Sequence, residues 1–301
     1  MDNAGSVRAV LYALGANFGI FVAKSIASVV TGSSAMLAEA IHSFADCGNQ
    51  VLLLRGMREA KRPPDAEHPL GYGGVVYFWA FLVAILLFSV GGGVSLYEGV
   101  HKILEPTPVE RPLIAIGVLV VAIVLESLSL RGCVHEIRKI YPSGSLWSFF
   151  RKSRNSELII VLGEDIAALA GLVVALVAVL ITVLTGNPVF DAGGSVVVGV
   201  LLILVAVLLA LEIKAMITGQ SAAPEIEAQI RRFIGARAEV AELLNLITLQ
   251  HGDSVMVAVK ARMREEQAAL RLVEDINQVE AAVRSAFPQV RWLFFEPDLH
   301  A

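Results

Sequence analysis

Six long apolar segments occupy the first two thirds of the chain, each separated from the next by a shorter polar stretch. They cover about residues 9–30, 34–56, 75–97, 112–131, 157–184 and 188–213. An α-helix rises 1.5 Å per residue, so about 20 apolar residues cross the ~30 Å hydrocarbon core of a bilayer. The pattern therefore predicts an α-helical membrane protein with six transmembrane helices in residues 1–220.

The last 81 residues have a different pattern, polar and mixed, with shorter apolar periods. Two segments have the spacing of apolar residues typical of helices, 224–234 and 268–286. Three segments alternate between apolar and polar residues as strands do, 243–250, 254–262 and 290–295. Along the chain these segments have the order αββαβ. Two helices and three strands in this order are typical of a small ferredoxin-like α+β domain with its helices on one face of a sheet. We expect residues 221–301 to form such a domain in the cytoplasm.

Composition agrees with the membrane assignment and excludes an ordinary soluble protein, because 56% of the residues are hydrophobic and only 17% are charged. The net charge of −4 gives no sign of a nucleic-acid partner. Cys47 and Cys133 lie within or beside apolar spans, so a disulfide framework is not expected. The first apolar run is long and a second follows directly, so it is not expected to be a cleavable signal peptide.

Lysine and arginine residues are concentrated in every second connection between the spans. The 2–3 and 4–5 connections contain Arg55, Arg58, Lys61 and Arg62, and Arg131, Arg138, Lys139, Arg151, Lys152 and Arg154, respectively. The 1–2 and 5–6 turns contain no lysine or arginine. The positive-inside rule thus predicts a multi-pass protein of the cell (inner) membrane with both termini in the cytoplasm.

Four ionisable residues stand out among those inside the predicted spans, where a charge is costly and usually functional. His42 and Asp46 are four residues apart in span 2, on one helical face, while Glu164 and Asp165 are adjacent in span 5. An imidazole and carboxylates are common ligands of divalent transition metals. A hydrogen-bonded structural pair is the alternative for His42 with Asp46. The alternative for Glu164 is a proton carrier or a carboxylate that faces a water cavity.

The helical rise places the acidic residues of the two spans at one depth. Asp46 and Asp165 each lie ~12 Å above the inner boundary of the hydrocarbon core when spans 2 and 5 run in opposite directions. Small residues flank both, including Ala45, Gly163 and Gly171. Because small side chains let membrane helices approach closely, we expect spans 2 and 5 to meet around a polar site.

Several segments resemble the cation diffusion facilitator family of divalent-metal/proton antiporters. They are Thr31–Gln50 (TGSSAMLAEAIHSFADCGNQ), Pro63–Gly73 (PPDAEHPLGYG), Leu96–Pro108 (LYEGVHKILEPTP) and Asn187–Gly199 (NPVFDAGGSVVVG). The resemblance implies a homodimer in the lipid bilayer that exports Zn²⁺ or a similar ion in exchange for protons. It implies His42, Asp46 and Asp165 as ligands between spans 2 and 5. The Glu164–Asp165 pair resembles the branch that includes a mitochondrial zinc transporter.

Three departures from the family pattern matter. The family has a histidine four residues before Asp165, where this chain has Val161, so Glu164 or water would complete the ligands. The family's loop site uses an aspartate and two histidines, whereas this chain offers Asp65 and His68 with Tyr72 at the third position. The C-terminal domain, which often holds a histidine-rich site, has only His251 and His300. We expect the peripheral metal sites to be degraded or absent.

Three other buried charges have simpler interpretations. Lys24 and Glu39 are equidistant from the first turn and are expected to pair, although Glu39 could relay protons. Glu126 in span 4 lies five residues before Arg131 and is interpreted as neutralised by it.

A site with both oxygen and nitrogen ligands favours Zn²⁺ as the transported ion, and Mn²⁺, Co²⁺ or Fe²⁺ are the alternatives. A membrane metal sensor or scaffold that does not transport is the alternative class of function. An enzyme is not expected, because no serine or cysteine nucleophile is recognisably arranged near His42.

Overall fold

Long helices make up the membrane part of the molecule. The computed structural model describes residues 3–31, 34–105, 112–142, 144–264 and 269–300, and within its helices the side chains at 3–6, 27–28, 30–31, 34–42, 45 and 88 fall outside the description. The helices are α1 (Asn3–Thr31), α2 (Ser34–Glu59), α3 (Val75–Leu86), α4 (Val94–Leu104), α5 (Pro112–Ile140), α6 (Leu146–Lys152), α7 (Ser156–Thr185) and α8 (Val189–Ile217). A π-helical segment, Leu87–Gly93, joins α3 to α4.

Five helical segments in the described part of the chain are long and apolar enough to cross a membrane. They are Val7–Ile26, Val75–Leu104, Pro112–Ile140, Ser156–Thr185 and Val189–Ile217. The chain is therefore a multi-pass membrane protein. With 26 residues α2 has the length of a span, but polar residues such as Asp46, Asn49 and Gln50 lower its hydropathy. The sixth span stays a prediction.

Helix packing differs from the sequence expectation for the small residues of α7. A Cβ added at Gly163 would lie 2.8 Å from the Leu209 side chain of α8, and one added at Gly171 would lie 3.4 Å from Val198, also of α8. The small residues of α7 thus let α8 approach, while α2 packs its backbone against α1 and α3. Contact between α2 and α7 is made by polar side chains instead, those of Asn49 and Glu164 among them.

Gly99 allows α4 to lie directly against α8. A Cβ at this position would come within 2.7 Å of the backbone nitrogen of Val196 and 3.0 Å of the carbonyl of Ala192. Backbone atoms cannot move aside cheaply, so Gly99→Ala is expected to lower the free energy of unfolding by about 1–3 kcal/mol. Gly117→Ala is the matched control, because Gly117 has no atom within 4 Å of an added Cβ.

Thermal unfolding of the detergent-solubilised protein checks this prediction. Gly117→Ala should be neutral or stabilising by roughly 0.5–1 kcal/mol, since glycine loses more conformational freedom than alanine when it is fixed in a helix. Equal unfolding temperatures for the two variants would contradict the close approach of α4 and α8.

The C-terminal residues form the small α+β domain that the sequence predicts. Its elements are α9 (Pro224–Gly235), β1 (Val240–His251), β2 (Ser254–Met263), α10 (Ala269–Ala286) and β3 (Val290–Pro297). The sheet order is β1-β2-β3, with β1 antiparallel and β3 parallel to β2. Alternate residues of β2, including Val257 and Val259, share one apolar core with Ile230 of α9 and Val279 of α10. Both helices therefore cover one face of the sheet, and the αββαβ order is confirmed.

The turn between β1 and β2 docks this domain against the membrane helices. The backbone amide of Gly252, where φ is +58°, donates to the hydroxyl of Tyr77 at 2.9 Å. The guanidinium Nε of Arg154 donates to the carbonyl of Ser221 at 2.9 Å. The C-terminal domain is thus attached at the end of the bundle where α3 and α7 begin.

Candidate functional site

One cavity among the membrane helices brings together most of the buried charges. Its lining includes the carboxylates of Asp46 on α2, Glu126 on α5, and Glu164 and Asp165 on α7, together with the ammonium group of Lys24 on α1. The cavity volume is about 140 Å³. A single water needs only about one tenth of that, so a hydrated metal ion fits.

Asp165 occupies the part of this cavity where α7 faces α5. The residue is 2% exposed, and the hydroxyl of Ser129 on α5 lies 3.2 Å from both carboxylate oxygens, to which it donates. Ser129 is a single neutral donor, so the carboxylate retains lone pairs for a cation. Val161, one turn earlier on α7, is fully buried in the apolar core and offers no ligand.

Glu164 points to a different set of partners, although it is adjacent to Asp165. The amide of Asn49 donates to Oε1 at 3.1 Å, and the amide of Gln50 donates to Oε2 at 2.7 Å. Gln50 also accepts from the amide of Asn17 on α1 at 3.2 Å. This chain of buried amides joins α1, α2 and α7, and both oxygens of Glu164 take part in it.

Asp46 and His42 belong to α2. Asp46 lines the cavity, and His42 lies one turn before it on the same helix, with its side chain outside the described residues. The side chain of Glu39, the expected partner of Lys24, is likewise outside them. Within the described part of the chain, no three histidine, cysteine, aspartate or glutamate side chains converge closely enough to hold a metal ion.

Glu126 is the site residue that sequence reasoning missed. Arg131, its expected partner, is exposed, whereas Glu126 is buried and faces the cavity. Five residues span about 500° of an α-helix, so the two side chains diverge by about 140°. A sequence signal was present, because Glu126 lies on the helical face of α5 that is formed by residues three or four apart. The buried residues on this face are Ala122, Glu126, Ser129, Cys133 and Ile137.

The cavity extends from the four carboxylates toward one end of the bundle. Its lining continues to Glu98 on α4 and Asp191 on α8, whose carboxylates lie 3.6 and 3.8 Å from the ammonium group of Lys102. In the opposite direction every residue of α7 from Ser156 to Asp165 is buried. The cavity therefore runs along α7 toward the end that carries the α7–α8 turn.

Comparison with known proteins identifies the family. The model of the cation efflux transmembrane domain matches residues 10–217. The chain belongs to the cation efflux family.

Several similar proteins have names that refer to zinc antiport or to metal tolerance. The mitochondrial proton-coupled zinc antiporter SLC30A9 of Xenopus laevis is 36% identical over 223 residues, which is 73% of this chain and 40% of that protein. Its human counterpart is 35% identical over 204 residues, 67% of this chain and 36% of that protein. Metal tolerance protein C4 of Arabidopsis thaliana is 30% identical over 236 residues, 78% of this chain and 52% of that protein. The chain thus spans between about a third and a half of the length of these relatives.

The loop that could hold a peripheral site in this cation efflux protein is organised by hydrogen bonds instead. Asp65 accepts from the hydroxyl of Tyr72 at 2.6 Å and from the backbone amides of His68 and Glu67 at 2.8 and 3.1 Å. The Tyr72 hydrogen bond, followed by that from the His68 amide, lowers the pKa of the exposed Asp65 carboxyl. These contacts close the turn around the Asp65 carboxylate.

His251 in the C-terminal domain lies against the same loop. Its imidazole Nε2 is 3.2 Å from the carbonyl of Gly71, and an added Cβ at Gly73 would come within 2.8 Å of the ring. These contacts indicate a packing role at the junction between the two domains.

Proposed function

We propose that this protein exports a divalent metal cation, Zn²⁺ first, in exchange for protons. The observation that supports it is that Asp46 and Asp165, from two helices, line one cavity inside the membrane bundle. Ionisable residues in membrane helices mark ion pathways because burying them is otherwise costly. His42 would add an imidazole from one turn away on α2. In this proposal the protein is a transporter and not an enzyme.

Exchange follows from the chemistry of these ligands. A carboxylate or imidazole binds metal only when it is deprotonated, so protons and metal compete for the same atoms. A site that alternates between two sides of the membrane then carries metal one way and protons the other. Zn²⁺ accepts both nitrogen and oxygen ligands, and Mn²⁺, Co²⁺ and Fe²⁺ are the alternative cargo. The names of the SLC30A9 relatives, proton-coupled zinc antiporters, support the choice of zinc.

The shape of the cavity supports alternating access. Basic residues at the 2–3 and 4–5 connections predict that the C-terminal domain is cytoplasmic, and the cavity runs toward the opposite end. In this proposal the cavity faces the outside of the membrane, where metal leaves and protons enter. A homodimer in the cell membrane remains a prediction of the family resemblance.

Metal-dependent proton flux in proteoliposomes tests the proposal. With a pH-sensitive dye inside the vesicles, Zn²⁺ added to the wild-type protein should drive proton movement, and His42→Ala or Asp46→Ala should abolish it. Parallel runs with Mn²⁺, Co²⁺ and Fe²⁺ give the order of preference. Metal binding without proton flux in the wild-type protein would favour a sensor over a transporter.

A further inference from the structure

Glu126 is a buried carboxylate without a direct partner among the described residues. It is 5% exposed, on α5, and no hydrogen bond or ion pair within that part of the structure engages it. Two other buried glutamates have direct partners. Glu164 accepts hydrogen bonds from two amides, and Glu136 forms an ion pair with Lys139 at 2.6 Å. A buried carboxylate held by no hydrogen bond or ion pair is costly, and Lys24, which lines the same cavity, attracts Glu126 without pairing with it directly. Glu126 is therefore placed to take a ligand.

The helical position of Glu126 directs it to the transport site. It lies three residues before Ser129, hence on the same face of α5, and the hydroxyl of Ser129 contacts both oxygens of Asp165. Both Glu126 and Asp165 line the cavity, as does Asp46. Three helices, α2, α5 and α7, therefore each contribute a carboxylate to one space.

Position 161 offers no further ligand to this cavity, and the carboxylate of Glu164 is already oriented by hydrogen bonds from α2. Position 161, one turn before Asp165, is a valine fully buried in the apolar core. Glu164 has both oxygens committed to amides of α2. The carboxylate of Glu126 approaches the same space from α5 and has no such commitment among the described residues.

We propose that Glu126 is a ligand of the transported cation, acting with Asp46 and Asp165. This inference rests on the proposed function and names a helix that contributes to the site beyond α2 and α7. In this structure no three described ligating side chains converge on one point, so binding requires these carboxylates to move toward the ion. Lys24, which lines the same cavity, balances the negative charge when the ion is absent.

A third carboxylate has a consequence for metal choice. Oxygen ligands suit hard ions such as Mn²⁺ better than imidazole does, whereas Zn²⁺ accepts both. Glu126 should therefore broaden selectivity toward Mn²⁺. Replacing it with histidine should retain Zn²⁺ and weaken Mn²⁺.

Binding of Co²⁺ to the full-length purified protein, followed by its visible absorption, tests the inference directly. Glu126→Gln is expected to weaken Co²⁺ binding by about tenfold or more and to change the absorption bands, because one oxygen ligand is lost. Glu136→Gln is the matched control, since Glu136 is also a buried carboxylate of α5 but does not line the cavity. It should bind Co²⁺ as the wild type does.

Two results would overturn the role of Glu126. One is an unchanged Co²⁺ affinity and spectrum in Glu126→Gln while Asp46→Asn abolishes binding, which would leave the proposed function standing. The other is an unchanged Zn²⁺ to Mn²⁺ preference in Glu126→His, the variant that decides if Glu126→Gln does not fold. Failure of the wild-type protein to bind Co²⁺ or to exchange metal for protons would instead remove the proposed function, and this inference with it.

Discussion

Asp165→Asn is expected to abolish metal transport while leaving the protein folded. Asparagine has nearly the volume of aspartate, and its carbonyl can still accept from the hydroxyl of Ser129, which now donates to Asp165 at 3.2 Å. The substitution removes the negative charge from the cavity. Even replacing a residue that only supports a metal ligand costs about 10–100-fold in affinity or activity, so the loss of the ligand itself should exceed ~100-fold. The rate of Zn²⁺-driven proton flux in proteoliposomes measures this.

Ser129→Ala separates the charge of Asp165 from its positioning. This variant removes the hydrogen bond and keeps the carboxylate, so flux should fall by no more than about tenfold. The two variants together form an ordered series of wild type, Ser129→Ala and Asp165→Asn. Wild-type flux in Asp165→Asn would show that Asp165 is not a ligand.

The parts of this structure that depend on helical and strand periodicity could be predicted from the sequence. The αββαβ order of the C-terminal domain follows from its alternating apolar residues, and the location of Asp46 and Asp165 in one cavity follows from the fixed rise of an α-helix. The depth of a residue in the membrane follows from the number of residues between it and the end of its helix. The sequence therefore predicts the position of a side chain along the helix axis.

The direction that each helix faces could not be predicted in the same way. The sequence suggests α2 as the neighbour of Gly163 and Gly171, yet both contact α8, because a small residue permits a close approach without specifying the partner helix. Closeness in sequence pairs Glu126 with Arg131, although the two side chains diverge around α5. The π-helical segment Leu87–Gly93 also rotates α4 relative to α3, and its glycine-rich sequence alone does not predict that change of hydrogen bonding.

Gln50→Leu is expected to be the most destabilising single change in the polar network of the membrane helices. Gln50 is fully buried, donates to Glu164 at 2.7 Å and accepts from Asn17 at 3.2 Å. Leucine has a similar volume but leaves both partners unsatisfied in the interior. Each unsatisfied group costs about 1–3 kcal/mol, and a charged one costs more. The two groups together cost about 2–6 kcal/mol, so at about 2–4 °C per kcal/mol for a chain of this size thermal unfolding should shift down by roughly 4–24 °C.

A double-mutant cycle with Glu164→Gln shows whether the carboxylate causes that cost. If Gln50→Leu is costly because it leaves one oxygen of a buried carboxylate without its donor, a neutral amide at position 164 removes most of the penalty. The double variant should then be more stable than the sum of the two single effects predicts, by more than the roughly 0.3–0.5 kcal/mol that independent sites show. Gln278→Leu, at an exposed position of α10, controls for the change of side chain alone and should leave the unfolding temperature unchanged. Simple additivity would mean that the amides of α2 contact Glu164 without stabilising its charge, and that α1, α2 and α7 are held together by apolar packing.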